Sequence, residues 1–176
     1  MRIFFTLLVL LGLLLGIVLA VVPHPKAVFS LITTDAPSAL PIPVQGVSRK
    51  AIADSWGNPR SGGREHKGID IFAKRGTPVL APVSGLIVGI GQNRLGGNNV
   101  RLLGPGLQLH YFAHLDRFGP VKLYDFVQRG DVIGYVGDTG NAKGGPPHLH
   151  YGIYTRNGAI NPYPLLVAGN KWNREN

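Results

Sequence analysis

At 176 residues the chain can hold one compact domain plus a tail and can bury a real core. Charged residues are only 15%, yet 18 Lys+Arg stand against 9 Asp+Glu, and the net charge of +9 suits an anionic partner: nucleic acid, a membrane surface or an acidic envelope polymer. The bases are scattered without a long run or an aromatic-interleaved basic motif, which argues against nucleic acid. The absence of cysteine excludes disulfides and thiolate metal sites, so any metal must use His and carboxylate.

Residues 3–22 are almost wholly apolar, with Arg2 before them and Pro23 after. A run of about 20 apolar residues spans a hydrocarbon core as a helix. That length favours an uncleaved anchor over a signal peptide, although Val18-Leu19-Ala20 loosely fits a cleavage site. Either way the body is expected outside the membrane, with the N-terminus inside. Residues 23–50 read as a tether, because Pro23, Pro25, Pro37, Pro41 and Pro43 interrupt any helix. Within it, Val28–Ile32 is a candidate short strand.

Residues 51–63 are turn chemistry around a large aromatic, Trp56. A Gly- and Ser-rich loop of this kind commonly rims a site, and Arg60 and Arg64 are candidates to face a substrate. In His66-Lys67-Gly68-Ile69-Asp70-Ile71-Phe72 the Ile-x-Ile alternation predicts a strand. Strand side chains alternate faces, so His66, Gly68 and Asp70 share one face and Ile69 and Ile71 enter a core. His66 and Asp70 can then bind one ion, with Gly68 leaving room between them.

Two similar segments follow, 75–91 and 127–140. Each has a basic residue and Gly, a short β-branched run, and Gly again. They read as a duplicated hairpin unit. Between them, 98–103 and 107–115 flank the turn Gly104-Pro105-Gly106 and read as another hairpin. Strict alternation in its second strand puts Gln108, His110, Phe112 and His114 on one face, and Leu107, Leu109, Tyr111, Ala113 and Leu115 on the other. His110 reads as an ordinary polar strand residue. The expected fold is all-β: a compact antiparallel sandwich or half-open barrel with flanking loops, plus the N-terminal apolar helix.

Pro146-Pro147-His148-Leu149-His150-Tyr151 is the pivotal stretch. As a strand it aims His148 and His150 one way and Leu149 and Tyr151 into the core. With His66, Asp70 and His114 the chain supplies enough donors for a zinc site that keeps a position open for water, plus spare imidazoles for proton transfer. Spacing alone does not say which histidine plays which part.

Over roughly residues 54–163 the sequence resembles the lysostaphin-type zinc metallopeptidases, which cut peptide cross-links in bacterial peptidoglycan. The resemblance rests on His66-x-Gly68-x-Asp70 followed by Gly76-Thr77-Pro78-Val79, on Tyr111-Phe112-Ala113-His114-Leu115, and on Val127-Gln-Arg-Gly130-Asp131, Gly137-Asp-Thr-Gly140 and His148-Leu-His150-Tyr151. It implies one zinc ion held by His66, Asp70 and His150. It implies His148 as the base that activates the water, and His114 as the second catalytic histidine, holding the tetrahedral intermediate. The element that often precedes the first motif stands here as Trp56-Gly57-Asn58-Pro59-Arg60, so the rim is family-like without being identical.

The expected organisation is an anchor or signal peptide at 1–22, a linker at 23–50, the metallopeptidase domain at 51–165 and a tail at 166–176 with Trp172 as a docking aromatic. The expected function is a zinc endopeptidase of the bacterial cell envelope, membrane-tethered or secreted, with peptidoglycan peptide as substrate and no nucleic-acid partner. The alternative is a catalytically silent peptidoglycan-binding regulator of other wall hydrolases, against which the complete His/Asp set speaks. A lipoyl-type carrier domain would need a modifiable lysine on a tight turn between the duplicated hairpins, and none is present.

Overall fold

The computed structural model describes residues 25–169, together with Phe4 and Gly12. Apart from Phe4 and Gly12, the expected anchor or signal at 1–22 therefore lies outside the described residues, as does Trp172 of the tail. Among the described residues no helix is long and apolar enough to cross a membrane.

A helix, α1 (Pro25–Thr33), comes first. The strands follow: β1 (Pro59–Arg60), β2 (Arg64–Glu65), β3 (Ile69–Phe72), β4 (Pro78–Leu80), β5 (Gly85–Asn93), β6 (Gly97–Leu103), β7 (Leu109–Phe118), β8 (Phe126–Val127), β9 (Val132–Val136), β10 (His148–Thr155) and β11 (Gly158–Ile160). A short helix, α2 (Tyr163–Ala168), closes the described chain. β1 and β2 form a small hairpin; β3 to β11 form one nine-stranded antiparallel sheet.

The sandwich or half-open barrel expected from the hairpin pattern is not what forms. The main path of the sheet runs β11-β10-β7-β6-β5-β8, with β3 on β10 and β9 joining β4 to β7. Its ends do not pair with each other, so the sheet stays open and the fold is mixed, with helices beside a dominant sheet. The physical reason lies in the two similar segments. They do not fold on themselves as a duplicated hairpin; they pair with each other, Val79 opposite Gly134 and Gly85 opposite Val127.

Alternation builds the core as expected in β3 and β10: Ile69, Ile71, Leu149, Tyr151 and Ile153 are fully buried. Residues 25–33 form a helix where a strand at Val28–Ile32 was expected. Pro25 occupies the first helical position, where a missing N–H costs nothing and a fixed φ suits the helix. Leu31 is its buried side chain. Part of the segment read as a tether also packs onto the sheet. Leu40, Ile42 and Val44 are buried, Val44 bridges Val79, and the Leu40 N–H donates to the Leu165 carbonyl at 2.9 Å.

Candidate metal centre

Strand β10 lies between β3 and β7, with His150 opposite Asp70 on one side and Ala113 on the other. Residues with facing Cα atoms point the same way across a sheet. His148, His150 and Asp70 therefore emerge together on the face away from the core.

His66 precedes β3. Its N–H donates to the Asn58 carbonyl at 2.9 Å, which ties it to the β1–β2 hairpin. Its Nδ1–H donates to the Ser55 carbonyl at 2.7 Å, leaving Nε2 bare. The Ser55 hydroxyl in turn accepts the Asp70 N–H at 3.1 Å. The Ser55 loop is held from outside, because the Asn161 amide donates to both oxygens of Asp54. A carbonyl behind a ligating imidazole fixes its tautomer and aims it.

Three donor atoms converge. His66 Nε2 is 2.8 Å from His150 Nδ1 and 3.1 Å from Asp70 Oδ1, and His150 Nδ1 is 3.3 Å from Asp70 Oδ1. Zinc–ligand bonds of about 2.0–2.1 Å in a tetrahedron put ligand atoms roughly 3.3 Å apart. The spacing and the His–Asp–His donor set both fit zinc, and the three residues form a zinc-type triad. The second oxygen of Asp70, Oδ2, accepts from the Arg60 guanidinium. Burial pushes the Asp70 carboxyl up, but the adjoining His150 and His66 rings and the Arg60 guanidinium outweigh it, holding the group well below the usual carboxylate range. Asp70 is thus an anion at any working pH. Burial lowers the His150 pKa against the pull of Asp70, so His150 is neutral as a ligand must be.

His114 reaches the same groove by a route that strict alternation does not predict. Between the pairs Val100–Phe112 and Asn98–Leu115, two residues of β7, Ala113 and His114, oppose the single Asn99. This is a β-bulge, and His114 takes a left-handed φ of 62°. The bulge resets the face. Phe112 and His110 lie against buried Tyr151 on the core side, while Tyr111 and His114 stand on the groove side with His150. The expected shared face of His110 and His114 is therefore wrong, as is the expected placement of Tyr111 and His114 on opposite faces. His110 is fully buried and bonded to the Tyr151 hydroxyl at 2.7 Å.

His114 and His148 lie ring to ring, their centroids 5.0 Å apart. His114 Nδ1–H donates to the Thr139 carbonyl at 2.8 Å and His148 Nδ1–H to the Pro146 carbonyl at 2.9 Å. A carbonyl only accepts, so both imidazoles carry a proton on Nδ1, and among the described residues neither Nε2 makes a hydrogen bond. Burial pushes His114 down to about 4, despite the Thr139 bond, so it is neutral near pH 7. His148 Nε2 is 3.8 Å from Asp70 Oδ1. Ser55, Thr139 and Pro146 were not among the expected site residues. They act through backbone carbonyls, which leave no trace in residue type.

These side chains line one open groove of about 700 Å³. A His–Asp–His centre on the floor of a groove, flanked by two further histidines, is the donor set of a mononuclear zinc site open to substrate. The chain belongs to peptidase family M23, whose model matches residues 64–162, more than half of it. It is 39% identical over 148 residues to the L-Ala–D-Glu endopeptidase of Bacillus subtilis, covering 77% of this chain and 44% of that one. It is 37% identical over 112 residues to lysostaphin of Staphylococcus simulans, covering 60% of this chain and 22% of that one. The chain thus spans less than half the length of either relative. The crystallised catalytic domain of that lysostaphin superposes with a TM-score of 0.59 at 33% identity, over 65% of this chain and 90% of that one.

Proposed function

We propose that the chain is a zinc-dependent endopeptidase acting on the peptide cross-links of bacterial peptidoglycan. The observation that carries the reading is the convergence of His66 Nε2, Asp70 Oδ1 and His150 Nδ1 within 2.8–3.3 Å of one another, beside two imidazoles with free Nε2 atoms. Bound in that triad, zinc supplies Lewis acidity, acidifying water and polarising a carbonyl. His148 takes the proton from the attacking water at Nε2 and returns it to the leaving amine. His114 starts as an acceptor at Nε2, because its proton sits on Nδ1. A proton taken up from solvent at Nε2 lets it hold the oxygen of the tetrahedral intermediate. Ser55, Thr139 and Pro146 fix the three imidazoles, so little reorganisation accompanies the chemistry.

The substrate class follows from family membership and from relatives named for peptide-bond cleavage, and the net charge of +9 suits an anionic envelope. The apolar run 3–22 supports export, with the body held at the outer face of the membrane or released after Ala20.

Metal content and hydrolysis of purified sacculi, measured on wild type and His148→Ala, test the reading. The expected result is about one zinc per chain in both proteins and peptide products from wild type alone, with His148→Ala slower by at least ~100-fold. Zinc retained without cleavage of several wall types contradicts the endopeptidase and favours the silent regulator.

A further inference from the structure

The charge in the groove is confined to one wall. Arg60, Arg64, Glu65, Lys67 and the ligand Asp70 all come from the β1–β2 hairpin, the lead into β3 and β3 itself. On the facing side the groove is lined by Asn93, Leu95, Gly96, Tyr111, His114 and Asn141, none of them Asp, Glu, Lys or Arg, although the exposed Arg94 stands in the same β5–β6 turn. Because β10 runs between β3 and β7, a peptide laid across His150 has one flank on the charged wall and the other on the neutral one.

Ion pairs cancel most of that charge. Arg60 is engaged by Asp70, and Lys67 by Glu65 at 2.7 Å. Arg64 is left: among the described residues it makes no ion pair. Its Nε donates to the Ser61 carbonyl at 3.1 Å, and its Nη2 to the Ser61 hydroxyl at 3.4 Å. These bonds hold the guanidinium at the rim without neutralising it. A planar guanidinium already held in place matches a carboxylate with little loss of side-chain freedom.

We propose that this wall selects an acidic substrate: a peptide with a free carboxylate on the residue beside the bond to be cut, gripped by Arg64. The inference rests on the endopeptidase reading and adds a residue that sets specificity. It separates substrates with an acidic residue at the bond from uncharged ones that the same groove would accommodate.

The test uses the full-length protein and two peptides. One is an Ala–Glu peptide with the glutamate carboxyl free; the other is the same peptide with that carboxyl as the carboxamide. Dissociation constants are read on the His148→Ala background, and kcat/KM on wild type. The acid is expected to bind roughly three- to tenfold more tightly than the carboxamide, and to show the same ratio in kcat/KM. Arg64→Gln brings both ratios close to one. Arg49→Gln, which removes a charge outside the groove wall, leaves them intact. Equal binding of the two peptides, or a ratio that survives Arg64→Gln, overturns the proposal. Tighter binding of the acid with no cleavage of either peptide supports the proposal and counts against the endopeptidase reading instead.

Discussion

His110 shows how one buried imidazole makes the molecule sensitive to acid. Burial pushes its pKa down to about 4, and its one hydrogen bond runs to Tyr151 while Nε2 has no partner. The unfolded chain binds a proton at about 6.5 and the folded chain does not until about 4, so stability falls as pH drops through that window. The loss from this group is about 3 kcal/mol. Urea unfolding of wild type and His110→Gln between pH 7 and pH 4 checks it: wild type should lose more stability on acidification by about that amount. Equal losses would show that His110 is not the source. Burial depresses His114 and His150 in the same direction, so the variant removes only one share of the effect. Strand alternation placed Asp70, His148 and His150 on one face, but the choice of His66, Asp70 and His150 as ligands came from the family resemblance, and His66 lies before β3, outside the strand period expected for it. The placement of His110 and His114 was not legible. Both sit at even positions of one strand, and only a bulge at Ala113–His114 separates them. Nothing in the residue types announces it, since the left-handed position carries histidine where glycine would have flagged it.

At the scale of elements, the close approach of the lead into β3 to strand β10 sets the centre. Gly68 sits where a Cβ would meet the Tyr151 carbonyl at 2.6 Å and the His150 ring at 2.7 Å. The space expected for an ion beside Gly68 is filled by the ligand ring itself. Gly68→Ala must therefore push β10 away from His66 and Asp70. It should cost about 1–3 kcal/mol in stability and lower zinc content at a fixed free-metal level. Thermal melting with metal analysis on one preparation measures both, and a variant that melts and loads like wild type would refute the close-packing argument. Other misreadings share a cause. The prolines of 23–43 predict a segment without helix, yet Pro25 heads α1, where proline is tolerated. The repeat of 75–91 and 127–140 was real as a pattern, but which strands paired depended on long-range contacts that local spacing does not encode.

Across the whole molecule, one open sheet carries the centre on one face and the core on the other. The strands β3, β7 and β10 each deliver at least one groove residue by alternation or bulge: Asp70, His114, and His148 with His150. The loops at 55, 139 and 146 supply the carbonyls that orient the rings. The one measurement that tests the account most directly is anomalous diffraction at the zinc edge from crystals of the zinc-loaded protein. The account predicts a single peak about 2.0–2.2 Å from His66 Nε2, Asp70 Oδ1 and His150 Nδ1, with His114 and His148 outside bonding distance. A peak ligated by His114 or His148, or no peak between β3 and β10, would contradict it.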